Sequence, residues 1–410
     1  MTQNTEAIPF TRYQKFIIVI LALLQFTIIL DFMVISPLGD ILMKTLDMTT
    51  SNFGVVVSAY AFSAGLSGLL AAGFADKFDR KKILIFFYVG FILGTLCCAL
   101  SPNYEMLLAS RIVTGLFGGV IGSISLAIMT DLFAINQRGR VMGFIQMAFA
   151  TSQILGIPIG LYFANLWGWH SSFLMIVVLA LAILIAIVFK MNPVNKHLEL
   201  QSDKNAFLHL WHTLRNRSYR IGFSAVALMS IGAFMLQPFG SAFMVNNIKI
   251  AQEQLPIVFF FTGISVLFIM PIVGRLSDKM DKFRLYTIGS ILSIVMVIVY
   301  TNLSAIPMWE VIAVSMVMFI GIMSRMVPAT TLNTAIPNQS DRGAYMAITS
   351  SMQQIAGGIA AVFTGWVVHQ QTPTSPLEYY DLVGYIYGIV TLISVFLIYR
   401  VNVMVKKKRD

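Results

Sequence analysis

The sequence predicts an all-α integral membrane protein with twelve transmembrane helices in two six-helix, pseudo-symmetric bundles. Composition is the first reason: 57% of the 410 residues are hydrophobic and 11% are charged, where a soluble chain carries about 25% charged residues. The second is continuity. Apolar runs such as 16–30, 83–100, 173–189 and 288–300 approach the ~20 residues a helix needs to cross hydrocarbon, and they lack the alternation of barrel strands. The third is an internal repeat. Pro37-Leu38-Gly39 returns as Pro238-Phe239-Gly240, Glu105 and Ser110 as Glu310 and Ser315, and Arg138-Gly139 with Met142 as Arg342-Gly343 with Met346, at offsets of 201 to 205 residues. Parallel six-helix repeats related by an axis along the membrane normal place a binding site between the halves, near the midplane.

Twelve spans fall at roughly 15–38, 52–74, 83–101, 104–130, 141–164, 170–189, 219–245, 254–276, 284–303, 308–334, 344–368 and 380–402. They divide the chain into a first bundle (1–189), a linker (190–218) and a second bundle (219–410). Of the 28 Lys and Arg, all but Lys44, Lys249, Arg111 and Arg325 lie on the side that holds both termini. Basic loops stay cytoplasmic, so both termini are expected in the cytoplasm of a bacterial inner membrane. The net charge of +10 then reports topology and gives no reason to expect a nucleic-acid partner. The first apolar run is too long for a cleavable leader and no A-x-A-like site follows it. Trp167, Trp169, Trp309 and Trp366 fall near outer span ends, as belt residues do. In the linker, residues 207–214 (FLHLWHTL) read as an interfacial amphipathic helix. Its His209 and His212 have no acid or Cys companion, so a solvated face is expected and no metal. Cys97 and Cys98 are adjacent within an apolar run and imply neither a metal nor a disulfide.

A charged turn between spans 2 and 3 organises the first half: Ala72-Gly73-Phe74-Ala75-Asp76-Lys77-Phe78-Asp79-Arg80-Lys81. It returns as Gly274-Arg275-Leu276-Ser277-Asp278-Lys279-Met280-Asp281-Lys282-Phe283. Basic loops are ordinary in membrane proteins, but Asp-Lys-x-Asp-basic written twice is not. The stretch resembles the loop motif of the major facilitator superfamily, Gly-x-x-x-Asp-Arg-x-Gly-Arg-Lys. Asp76, Lys77, Arg80 and Lys81 fit it, as do Gly274, Asp278, Lys279 and Lys282. Ala72 replaces the first Gly of the pattern, and Asp79 and Asp281 replace the second. The resemblance covers nearly the whole chain and implies a transporter working by alternating access, with a cytoplasmic gate at these loops. Asp76 is expected to cap a neighbouring helix, Arg80 to reach Asp131, and Asp278 and Lys282 to mirror part of this.

Ionisable residues inside the membrane are costly and mark function by default. The repeat isolates two. Asp31 aligns with Gly232 and Arg111 with Met316, so both charges belong to the first half alone. Each lies about seven residues from the outer end of its span, which at 1.5 Å per residue puts both roughly 10 Å deep. The reading is an ion pair, either purely structural or proton-coupling. Arg111-x-x-x-Gly115-x-x-x-Gly119 also resembles the superfamily's span-4 Arg-x-x-x-Gly motif of proton-coupled members, and that resemblance carries the proton role to Arg111 and Asp31. Gly156-Ile157-Pro158-Ile159-Gly160-Leu161 departs from the Gly-Pro-x-x-Gly-Gly of drug–proton antiporters. With Gly168-Trp169-His170-x-x-Phe173 it is closer to the sugar-efflux and arabinose-type branch, where Arg usually stands at position 170. Gln146, Gln153, Gln237, Arg325, Gln353 and Gln354 are expected to face the cavity. For Arg325 two readings stay open: binding an anionic substrate, or snorkelling to the cytoplasmic surface.

The leading expectation is a proton-coupled exporter of small amphipathic molecules, of multidrug type. Sugar or sugar-derivative efflux is the alternative within transport, and a non-transporting receptor on the same scaffold is the alternative outside it. The expected partners are a small-molecule substrate, protons and the bilayer, with the chain a monomer and no cofactor. No nucleotide loop, metal cluster or nucleophile–base pair points to an enzyme.

Overall fold

A computed structural model describes residues 10–74, 78–195, 198, 206–338 and 341–407. In the first half, span 1 is α1 (Arg12–Val34) followed by the short α2 (Gly39–Thr45), and spans 2 to 4 are α3 (Thr50–Phe74), α4 (Arg80–Ala99) and α5 (Tyr104–Leu132). Span 5 is α6 (Ile135–Thr151), a π-helical turn (Ser152–Gly156) and α7 (Ile157–Trp167), and span 6 is α8 (His170–Lys190). The linker helix α9 (Ala206–Arg215) leads to the second half. There span 7 is α10 (Arg217–Met235) with α11 (Gly240–Asn246), and the rest are α12 (Leu255–Lys279), α13 (Lys282–Thr301), α14 (Met308–Thr334), α15 (Arg342–Val367) and α16 (Tyr380–Lys407). A helix satisfies its own peptide groups, which hydrocarbon cannot do.

Among the described residues, eleven helices or helix pairs are long and apolar enough to cross a membrane. The twelfth, α15, is 26 residues long. Its Ser350, Ser351, Gln353 and Gln354 lower its mean hydropathy, because one face is turned inward to polar work. Outward faces carry Phe86, Phe189, Ile291, Phe268 and Trp366, all exposed, as lipid contact requires. Trp167, Trp309 and Trp366 are exposed near span ends. Trp169 departs from the belt expectation. It is buried, stacked on His170 at 3.8 Å, because Gly168 turns the chain with φ +83°, a conformation that suits glycine.

The repeated Pro-x-Gly breaks spans 1 and 7 at matching places. Each span therefore ends in a separate short helix, longer than the sequence boundary at 38 predicted for span 1. The two loop-motif copies also fold alike. Asp79 accepts hydrogen bonds from the backbone N–H of Lys81 (2.8 Å) and Lys82 (3.1 Å), capping α4. Asp281 does the same for α13 with Phe283 (3.0 Å) and Arg284 (3.1 Å). Aspartate replaces the second motif glycine in both halves because that position is an N-cap. Asp281 also accepts from Lys406 at 2.8 Å. That hydrogen bond holds its carboxyl below the usual carboxylate value. A lowered value means that this tie to the C-terminal helix is present at neutral pH and is lost only as the pH falls through the folded-state value.

One apolar core joins the two halves toward the end opposite the basic loops. It includes Leu38, Leu42, Phe53, Ile157 and Trp169 of the first half and Phe239, Phe243, Leu255, Ala361 and Val383 of the second. Toward the basic end each half has its own core, that of the first half built around Leu21, Leu84, Ile124 and Ile187. The other is built on Tyr219, Phe223, Tyr286, Tyr345 and Val401, and among the described residues Leu69 is the first-half side chain that packs on it.

Small residues set the closest helix contacts. A Cβ on Gly119 would run into the Ala64 carbonyl oxygen, and one on Gly54 would stand 2.7 Å from the Ala361 carbonyl oxygen. At Gly143 it would meet nothing within 4 Å. Gly119→Val should therefore destabilise the protein by about 1–3 kcal/mol through overpacking. Gly143→Ala should be neutral or stabilising by up to ~1 kcal/mol. Equilibrium unfolding in mixed micelles measures both, and a Gly119→Val protein as stable as wild type would contradict the α3–α5 contact.

Candidate functional site

Asp31 and Arg111 meet as the sequence depths predict. Arg111 Nη1 donates to Asp31 Oδ2 at 2.7 Å and to the Asp31 backbone oxygen at 3.2 Å. Thr95 donates to Asp31 Oδ1 at 3.2 Å. Both charged side chains have no exposed surface. The Arg111 guanidinium also lies 4.5 Å from the centre of the Tyr60 ring, an attraction that desolvation strengthens. Its Nε and Nη2 make no hydrogen bond to a described residue, so among the described residues the pair is bound on one edge. Gly115 and Gly119, four and eight residues on from Arg111, press α5 onto α3 near Tyr60 and Ala64 and so fix the arginine against the Tyr60 ring.

Between the halves lies a cavity of about 390 Å³, within the range of small-molecule sites. Its walls are mainly apolar, with Phe32, Phe149, Phe234, Phe319, Met318 and Met323 prominent. Gln153, Gln237, Gln353, Gln354 and Arg325 line it as expected. The Gln146 side chain lies outside the described residues. An aromatic wall separates the cavity from the ion pair. The Phe32 ring lines the cavity and sits 5.3 Å from the Tyr60 ring, which in turn covers Arg111.

Arg325 does not snorkel. It is 2% exposed, and its Nη1 donates to Tyr387 Oη and Thr391 Oγ1, each at 2.9 Å, with Ser293 Oγ at 3.4 Å. Sequence reasoning missed Tyr60, Thr95, Tyr387 and Thr391. Tyr387 and Thr391 carried a usable signal, since polar residues four apart share one helix face.

At the end opposite the basic loops the halves are bonded directly. Asn246 Nδ2 donates to Asp40 Oδ1 at 2.6 Å, and Lys44 pairs with Asp40 at 2.7 Å. Ser241 donates to the Ser36 carbonyl oxygen at 3.0 Å and Thr50 to that of Val368 at 2.7 Å. Phe53 packs edge-on against Phe239 at 5.6 Å.

At the basic end Arg80 Nε reaches Asp131 Oδ2 at 3.1 Å, as the motif implies, and the pair ties α4 to α5 within the first half. Asp76 and the Asp278 side chain lie outside the described residues. Among the described residues Lys282 does not mirror Arg80: its Nζ reaches the Ser277 carbonyl oxygen, at 3.5 Å. The repeat places Ala335 where Asp131 stands, so the second half has no acid there for Lys282 to meet.

The sequence profile of the Major Facilitator Superfamily matches residues 21–361 and also 222–410. The chain belongs to this superfamily. It is a membrane transporter rather than an enzyme, and the two bundles are the superfamily's own architecture. It is similar to a probable sugar efflux transporter of Helicobacter pylori strain P12, with 24% identity over 383 residues and 92% of each chain covered. A probable sugar efflux transporter of Mannheimia succiniciproducens is 24% identical over 267 residues, 65% of this chain and 66% of that one. Among solved structures, a bacterial homologue of the lysosomal transporter Spinster superimposes with a TM-score of 0.79 at 14% identity, covering 97% of this chain and 99% of that one. A D-xylose–proton symporter does so with a TM-score of 0.76 at 18% identity, covering 94% and 97%. At such identities the two structures speak for the superfamily fold alone.

Removing one partner of a buried ion pair leaves an uncompensated charge. Arg111→Met should cost about 3–5 kcal/mol of stability at neutral pH, and adding Asp31→Asn should restore a large part of it. A double-mutant cycle by unfolding in mixed micelles measures the coupling. Additive losses would show that the two side chains do not interact.

Proposed function

We propose that this transporter is a proton-coupled exporter of a sugar or sugar derivative, working by alternating access, with the basic end in the cytoplasm. The observation that carries the reading is the cavity between the halves with the buried Asp31–Arg111 pair one aromatic layer behind it. The names of the relatives supply the substrate class. Four glutamine amides and the hydroxyls of Ser230, Thr262, Ser315 and Ser350 line the cavity, and amides and hydroxyls are the donors and acceptors that sugar hydroxyls need.

Asp31 would take up a proton from outside and give it up to the cytoplasm. Substrate entering the cavity presses on Phe32, and through Tyr60 on Arg111, so binding and the state of the pair are mechanically linked. The bonded outer end and the separate cores at the basic end suit loading from the cytoplasmic side. Arg80–Asp131 would stiffen the first-half gate when that side closes, and Asp76, Asp278 and Lys282 are assigned to the same gate by the loop motif. Abundant Met and Phe in the walls favour a second reading, export of amphipathic drug-like molecules, because such surfaces adapt to varied apolar ligands.

Everted membrane vesicles with an acidified lumen distinguish the readings. Radiolabelled arabinose and glucose should accumulate with the pH gradient, and Asp31→Asn should lower that accumulation at least tenfold while leaving sugar exchange without a gradient largely intact. Accumulation of ethidium without either sugar would favour the second reading. Gradient-driven uptake unchanged in Asp31→Asn would remove Asp31 from coupling.

A further inference from the structure

Among the described residues that line the cavity, Arg325 is the one with a charge. A guanidinium is a permanent cation with five donors, and burying it without an acid is costly. Here one nitrogen, Nη1, serves the hydroxyls of Tyr387, Thr391 and Ser293. No described carboxylate pairs with it, and Nε and Nη2 make no hydrogen bond to a described residue. The rings of Tyr387 and Tyr286, centred 5.6 and 5.8 Å away, offset part of the cost without neutralising the charge.

The internal repeat shows what is missing. Position 31 of the first half holds the carboxylate that neutralises Arg111, and the matching position of the second half is Gly232. Gly232 faces Arg325: a Cβ added there would stand 3.7 Å from Arg325 Nη2. The second half thus has a buried guanidinium beside a glycine that stands where the first half has its acid. Its free edge, Nε with Nη2, is the edge that pairs side-on with a carboxylate through two parallel hydrogen bonds. Lysine could not offer that geometry.

We propose that Arg325 binds a carboxylate of the transported molecule, so that the substrate is an acidic sugar derivative such as an aldonic or uronic acid. This deepens the sugar-export reading and rests on it. Arg325 is not the repeat counterpart of Arg111, which is Met316, but the substrate's carboxylate gives it the counter-charge that Arg111 receives from Asp31. The glutamine amides of Gln237, Gln353 and Gln354, on the same cavity wall system, are then left for its hydroxyls.

The test is equilibrium binding of radiolabelled glucuronate, glucose, glucose 6-phosphate and octanoate to the purified full-length protein in detergent micelles. Glucuronate should bind at least roughly tenfold more tightly than glucose, the worth of a charge-assisted pair. Arg325→Gln should remove that preference, bringing glucuronate affinity to within about threefold of glucose affinity in the same variant. Gly232→Asp supplies an internal competitor in a space where a Cβ makes only ordinary contacts. It should abolish glucuronate binding and spare glucose, so it tests the idea even if Arg325→Gln fails to fold. Glucose binding with no preference for glucuronate would overturn the inference and keep the sugar reading. Octanoate binding that Gly232→Asp abolishes, with neither sugar bound, would keep the carboxylate site and overturn the sugar reading, together with the acidic-sugar assignment. Tighter binding of glucose 6-phosphate than of glucuronate would overturn the choice of a carboxylate.

Discussion

Hydrocarbon offers no partner to a charge or a peptide group, so whatever polar machinery this transporter holds must be satisfied from within. The Asp31–Arg111 pair obeys that constraint most strictly. Carboxylate, guanidinium, Thr95 hydroxyl and Tyr60 ring are supplied by four different helices, α1, α5, α4 and α3, and the contact can form only if those four pack in one arrangement. The glycines of α5 serve this packing, since they let α5 approach α3 closely enough to set Arg111 against Tyr60. In this sense the first bundle is assembled around one buried charge pair, and the cavity wall at Phe32 is built directly upon it.

The second bundle keeps the shared scaffold and changes its chemistry. The paired Pro-x-Gly breaks, the Asp caps at 79 and 281 and the Glu–Ser pairs at 105–110 and 310–315 are common to both halves. The charges are not. The first half neutralises its arginine internally and walls it off behind Tyr60 and Phe32, whereas the second half exposes its arginine to the cavity and lines it with hydroxyls. The pseudo-symmetric frame thus holds unlike occupants, an ion pair closed within the chain in one half and an arginine among hydroxyls in the other.

Much of this was legible in the sequence because the relevant signals are periodic or repeated. Span positions follow from run length, the two halves from fixed offsets, and the Asp31–Arg111 contact from equal depth plus absence in the other copy. Arg80 and Asp131 were legible through the motif. Other features turn on side-chain direction, which spacing does not encode. Burial of Arg325 depends on three hydroxyls that come from α13 and α16. Burial of Trp169 depends on the turn at Gly168. Span 11 was legible at 344–368 although its polar face makes it the least apolar of the twelve. The failure of Lys282 to mirror Arg80 was legible too, in retrospect, from Ala335.

The π-helical turn at Ser152–Gly156 has a geometric consequence for span 5. It stores one extra residue within an otherwise α-helical rod, and Gly263 of span 8 is pressed against that swelling, with any Cβ there only 2.9 Å from the Ile154 backbone. One residue corresponds to about 100° of helical rotation. Smoothing the swelling into regular helix would therefore swivel α7 about its own axis relative to α6 and lengthen the span by about 1.5 Å. Span 5 is in effect a shaft with a coupling in it, able to convert axial rotation of one segment into a change of the face it shows to span 8.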